Sequence, residues 1–370
     1  MRRRTFLTSA GALTVAGLAG CSATETDSNG GESTDGTGGT TGSVDEEAAL
    51  TVGTYSSFVD APSDSPGEWI KDEFEARHDV ELEWEIPEQE INHYVERHNQ
   101  GAEIDAEVYL GVRPQNLVRA DDNIDGDLFA STDQSELENA ENIGEEFYFD
   151  PHDRAIPVFQ SYCGVVYDGR TLSEPETFED LLGEEYEGNL ALSNPNGSTT
   201  GLLFFLWTVN EFGEEGAIDY WNDLRENDAR ILNSWGDVYT QFEEGETEAV
   251  VSYTNDRVYA QRFGNDLEKH QVATLNGQGY TNMAGMARFA AGTNDDLAHQ
   301  FMDFILEPEV QAVIAERNVT GPVNTETEVP EVYEEYAVDP EDPVFFGYEE
   351  LEGNLSAWLT EWERNVTGGN

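Results

Sequence analysis

The sequence predicts an α/β fold of two lobes, each a mostly parallel sheet flanked by helices, with two crossings between them. Three observations carry this expectation. Short β-rich runs alternate with acidic amphipathic stretches, the pattern of parallel strands joined by helices. Two long β-rich runs, Ala155–Tyr167 and Tyr280–Ala291, lie far apart in the chain and suit strands that leave one lobe and return to it. The body from about Leu50 to Thr367 is also long enough for two lobes.

The elements follow in order. Leu50–Tyr55 reads as a first strand, and Pro66-Gly67 introduces a helix over Trp69–Ala76 with Trp69, Ile70 and Phe74 as its apolar residues. Val80–Ile86 reads as a second strand, Glu90–Arg97 as a helix and Ala106–Val112 as a third strand, a βαβαβ opening that builds one lobe. The first crossing contains Pro157. Asn189–Leu192 leads into a Gly/Ser/Thr loop and the apolar helix Gly201–Phe212, and Ala249–Tyr253 is a strand ending in a polar turn. Asp295–Asn318 reads as a helix pair carrying Phe301, Phe304, Ile305, Val310 and Val313. The expected division puts residues 49–156 and 285–370, with the C-terminal helices, in the first lobe and 157–284 in the second.

The N-terminus stands outside this fold. Arg2-Arg3-Arg4 precede Thr5-Phe6-Leu7 and a short apolar run, the anatomy of a secretory signal over residues 1–20. The paired arginines suggest the twin-arginine route. Leu18-Ala19-Gly20-Cys21 resembles a lipobox, which would make Cys21 the lipid-modified first residue of the mature chain. Residues 21–48 are Ser, Thr, Gly, Asp and Glu with almost nothing apolar, so they cannot offset their ordering entropy and read as a flexible tether. The expected location is thus the outer face of the cytoplasmic membrane. With Cys21 modified, Cys163 is left alone, and the fold relies on core burial rather than a disulfide.

Charge is extreme: 77 acidic residues stand against 18 basic ones, a net of −59. Without Arg2, Arg3 and Arg4 the balance becomes 15 basic to 77 acidic, or −62. Spread over every helix, this excess suits a surface hydrated in concentrated salt, a halophilic signature, because multimolar salt shortens the Debye length to about 3 Å or less. Nucleic acid is excluded as a partner, since phosphate backbones need clustered Lys and Arg.

Candidate site residues fall at the predicted C-terminal ends of strands, where open parallel sheets collect ligands. Tyr55 follows the first strand, and Ser198 and Thr199 sit in Ser193–Gly201, where a helix begins and offers free N–H groups. Capping of that helix by Ser198 or Thr199 is the simpler alternative. Tyr253, Thr254, Asn255, Asp256 and Tyr259 follow the strand at Ala249, and Trp235 lies in a loop before a helix. Aromatic residues in such places stack on flat or cationic ligands, or else pack in the core.

Catalysis finds no support. The six histidines are scattered without metal-ligand spacing, and there is no Gly-x-Ser-x-Gly elbow or Walker loop. Acidic pairs such as Asp121-Asp122 are expected from composition alone. No enzyme, cofactor or metal site is therefore expected.

At these same residues the chain resembles the thiamine-binding proteins of thiamine ABC importers, within the class of two-lobed periplasmic binding proteins. The resemblance runs in order from about Leu50 to Val366. It includes Leu50–Phe58, Ala106–Gly111, Gly164–Asp168, Asn194–Leu202 with Leu206-Trp207, Trp235 with Tyr239, Val251–Thr254 and Ala357–Trp362. It implies the periplasmic-binding-protein fold and thiamine or a thiamine phosphate held in the interlobe cleft. The ring system would lie on Tyr55, Trp235, Tyr253 and Tyr259, with Thr254, Asn255 and Asp256 beside it. The tail would lie on Ser198 and Thr199. A monomer handing its ligand to a membrane permease is implied as well. Two family tryptophans are absent here: one gives way to Asp64 or a neighbour, the other aligns with Val319. The family's Asp-Gly aligns roughly with Gln89-Glu90, and Trp69 or Phe58 is expected to substitute a stacking face. The same fold carrying iron(III), a polyamine or an oxyanion, or an extracellular hydrolase, are the alternatives. Iron is disfavoured because no Tyr-Tyr pair exists.

Overall fold

The structure is a computed structural model that describes residues 49–61 and 64–367. The signal, the tether and Cys21 lie outside the described residues. The chain opens with β1 (Ala49–Thr54), a single turn α1 (Ser56–Val59), α2 (Gly67–His78), β2 (Glu81–Glu85), α3 (Ile91–Gln100), β3 (Val108–Val112) and α4 (Pro114–Asn123). β1 pairs with both β2 and β3 in parallel, as the βαβαβ pattern requires. Leu50 and Val52 are fully buried on β1, and all five residues of β3 are buried, because helices cover both faces of this strand.

The long strand β4 (Ala155–Tyr167) then passes into a second set: β5 (Leu190–Ser193), α5 (Thr199–Glu226), β6 (Arg230–Leu232), α6 (Trp235–Glu244), β7 (Ala249–Tyr253) and α7 (Asp256–Phe263). β5 pairs in parallel with β6 and β7. β8 (Gln271–Ala273) and β9 (Gln278–Arg288) bring the chain back. The strand order is β2-β1-β3-β9-β4-β7-β5-β6, with β4 and β9 antiparallel at its centre. The two runs picked out as crossings are thus the pair that joins two mostly parallel half-sheets.

α5 shows how the local sequence sets an element. The predicted helix Gly201–Phe212 ends where Gly213 takes φ +73° and ψ +175°, non-helical values that only glycine adopts readily, and a second helical stretch resumes to Glu226. Leu202 to Val209 are buried all round, against β5, β7 and β9. Gly201 is held to glycine by packing, since a Cβ there would overlap the Ser193 carbonyl of β5.

The last elements are α8 (Asp295–Ile305), α9 (Pro308–Arg317), β10 (Gly321–Pro322), α10 (Glu331–Tyr336), β11 (Asp342–Val344), α11 (Tyr348–Leu351) and α12 (Leu355–Trp362). α8 and α9 are the predicted pair, separated by Pro308, which starts the second helix. α10 packs on α7, and α12 touches both α4 and α5, so the C-terminal stretch meets both half-sheets. There Trp362 stands edge-on to Trp221 at 5.3 Å, both fully buried. Cys163 is buried and unpaired. Among the described residues no helix is long and apolar enough to cross a membrane.

Candidate functional site

Residues just beyond β1, β3, β5, β6 and β7 line one cavity of about 690 Å³. Eight of the nine sequence-predicted residues are in its wall: Tyr55, Ser198, Thr199, Trp235, Tyr253, Asn255, Asp256 and Tyr259. Thr254 is not. It is buried behind the wall, its N–H donating to the Tyr162 carbonyl at 2.9 Å and its carbonyl accepting from Val338 N–H at 3.1 Å.

Tyr55 is held by β3 and by the segment after α9. Asn318 Nδ2 donates to its hydroxyl at 3.1 Å. Gly111 takes φ +110°, and a Cβ there would come within 2.7 Å of the Tyr55 ring, so glycine is needed for the ring to lie flat on the strand. Over that ring, 5.6 Å from its centroid, stands the Arg113 guanidinium.

The opposite wall is aromatic and acidic. Ser234 caps α6 by accepting the Asp237 N–H at 3.1 Å, which fixes Trp235 in the first turn. One turn on, Tyr239 stacks under Trp235, with centroids 5.0 Å apart and planes at 30°. Trp235 Nε1 donates to Ser252 Oγ at 3.0 Å, yet the indole stays 39% exposed, unusual for so large an apolar ring. Behind the stack the buried Asp256 carboxylate accepts from the Tyr239 hydroxyl at 2.5 Å and lies 2.7 Å from His270 Nδ1. His270 Nε2 lies 3.4 Å from Glu243. Burial, then the Asp256 charge, push the Tyr239 hydroxyl far above its ordinary range, so it stays a donor. Burial likewise pushes Tyr253 and Tyr259 up to about 12.

Ser198 does not cap α5. Its hydroxyl pairs with that of Thr200 at 3.0 Å, and no side chain accepts from the first turn of the helix. The first-turn N–H groups of α5 thus have no side-chain acceptor among the described residues, and Ser198, Thr199 and Thr200 line the cavity.

Other features were not read from the sequence. Arg113 follows β3 as Tyr55 follows β1, so the strand-end rule could have found it. Tyr239 lies four residues from Trp235, a helical spacing that could have marked it. Asn282 lies within a crossing strand and His270 before one, and neither carries a local signal. The expected substitute faces do not serve: Phe58 is fully buried against Trp84 and Phe159, and Trp69 packs on the core, both outside the cavity wall. Phe58 lies in the single turn α1 and Trp69 in α2, and both face the sheet side, Phe58 fully and Trp69 partly buried. Val319 is also fully buried, while its neighbours Asn318 and Thr320 reach the cavity. Glu90 holds φ +48°, a backbone region that favours glycine, at the cavity edge. Among the described residues no His, Cys, Asp and Glu cluster could hold a metal ion.

The profile of bacterial extracellular solute-binding proteins matches residues 120–340. The chain belongs to that family. It is a transport class that binds solutes outside the cytoplasm, not an enzyme class. This solute-binding protein is 27% identical over 328 residues to the thiamine-binding periplasmic protein of Escherichia coli, covering 88% of this chain and 96% of that one. Among solved structures, a periplasmic thiamin binding protein superposes with a TM-score of 0.72 at 26% identity, covering 86% and 96% of the two chains. A periplasmic binding protein from Actinobacillus pleuropneumoniae with fructose-6-phosphate bound shares the fold, with a TM-score of 0.71 at 16% identity over 87% and 99%. Two lobes with a cleft between them are common to these structures.

Proposed function

We propose that this protein captures thiamine or a thiamine phosphate in the cavity and delivers it to an ABC permease. The observation that carries the reading is the stacked Trp235–Tyr239 pair set beside the Asp256 carboxylate. A thiazolium cation is drawn to aromatic faces and to a fixed negative charge, and the first gains strength when both partners are desolvated. The likeness to thiamine-binding relatives at 26–27% identity supports the same cargo. In this reading the two half-sheets are two lobes that swing about β4 and β9 and close over the ligand. Export by the twin-arginine signal and a lipid on Cys21 would keep the mature chain on a tether beside its permease, as a monomer. The acidic surface suits a salt-rich exterior.

Native mass spectrometry of protein purified from its host is the direct test. The expected result is a retained mass equal to thiamine or one of its phosphates. A bound metal, a polyamine or a sugar phosphate in its place would refute the cargo. The same spectra would report the mass of the lipid on Cys21.

A further inference from the structure

Next to the main cavity lies a second one of about 270 Å³, and Glu90, Arg113, Ser198 and Thr199 border both. The second cavity runs between α4 and the loop that opens α5, and it adds Arg119 to its wall. Arg113 is the only basic residue in the wall of the main cavity among the described residues. It is 9% exposed, and its Nε donates to Asn282 Oδ1 at 3.0 Å while Nη1 donates to the Gly111 carbonyl at 3.1 Å. Those two bonds aim the group and leave Nη2 without a partner among the described residues. The half-buried side chain of Arg119 has neither a hydrogen bond nor an ion pair among the described residues, and its partial burial holds its pKa below the ordinary value.

This is unexpected in a chain with 77 acidic and 18 basic residues, where a carboxylate could be found for almost any cation. Removing a guanidinium from water without a carboxylate is costly unless an anion takes the water's place. Glu88 and Glu90 border the second cavity, but both are exposed and neither pairs with an arginine. Opposite the arginines are Ser198, Thr199 and the uncapped first turn of a long helix, whose amides favour the same charge.

We propose that the second cavity seats the phosphate or diphosphate group of the ligand, and that Arg113 and Arg119 select a phosphorylated solute over its unphosphorylated form. The ring would remain in the main cavity, with the ester linkage passing between Arg113 and Ser198. The choice of thiamine esters as probes rests on the reading above. The anion seat itself does not.

Calorimetry on the mature chain, at fixed ionic strength, compares thiamine, thiamine monophosphate, thiamine diphosphate and inorganic diphosphate. The expected result is a phosphate ester bound about tenfold or more tightly than thiamine, as charge-assisted bonds from two arginines allow. Arg119→Met and Arg113→Met should each erode that preference about tenfold, and Arg113→Lys should retain part of it. Arg119→Met alone decides the matter if Arg113→Met, which also frees Asn282, fails to fold. Equal affinity for thiamine and its esters, or a preference that survives Arg119→Met, overturns the proposal while leaving thiamine as the cargo. If no thiamine form binds, the cargo reading fails. Inorganic diphosphate binding that weakens in Arg119→Met would still uphold the anion seat, and no binding of it would sink that too.

Discussion

The two walls of the cavity are built differently. One, from α6, β7 and α7, sets Trp235, Tyr239, Tyr253 and Tyr259 around Asp256, with Glu243 beyond. The other, from β1 and the start of α4, offers a single tyrosine, Tyr55, with the Arg113 guanidinium over its face. Both follow the same rule of residues at strand ends, yet their charges are opposed. The cavity is therefore unequal in its charges, aromatic with a buried carboxylate on one side and with the Arg113 guanidinium and the exposed Glu90 on the other.

The sharpest way to break this contrast is Asp256→Ala. It strips His270 and the Tyr239 hydroxyl of their common acceptor in a buried network, and a loss of about 3–5 kcal/mol in urea unfolding is expected. A loss below about 1 kcal/mol would mean that water reaches the network and that its charge is weaker than its burial implies. Next come paired substitutions, one for each wall. Trp235→Ala should weaken thiamine binding by about 1–3 kcal/mol in calorimetry, with little change in stability because the indole is partly exposed. Tyr55→Phe removes only the bond to Asn318 and should cost about 1 kcal/mol. The reverse order would place the ring on the other wall. The smallest effect is alkaline. Tyr253 and Tyr259 keep their protons in the fold up to about 12, whereas the ordinary value is 10.0. The unfolded chain loses those protons first, so the stability they hold is whole below pH 10 and drains away as pH rises to about 12. Urea melts across that window should show it, and a Tyr259→Phe chain should show less.

Much of this was legible along the chain. The first crossing matched residue for residue, because thirteen consecutive β-rich positions with one proline leave few other readings. Gly213 ended the apolar helix as its sequence suggested. Eight of the nine candidate residues reach the cavity wall because strand ends are marked by an abrupt change from apolar to polar. Thr254 failed that rule: in a tight turn one residue must point inward, and the pattern does not say which. Trp69 and Phe58 failed because an aromatic residue near a site looks the same whether it faces the ligand or the core. The Asp256–His270 contact joins residues 14 apart through a helix and a loop, and only the folded chain brings them together.

The contact between Trp221 and Trp362 also bears on when this molecule can be completed. Trp362 and Val366 are fully buried within the last few described residues, and Arg225 reaches the Val366 carbonyl. During synthesis the Trp221 face of α5 therefore stands open to water until the stretch that carries Trp362 has left the ribosome. The earlier part of the body has to wait with a tryptophan-sized gap in its back, a period in which such surfaces are exposed to aggregation.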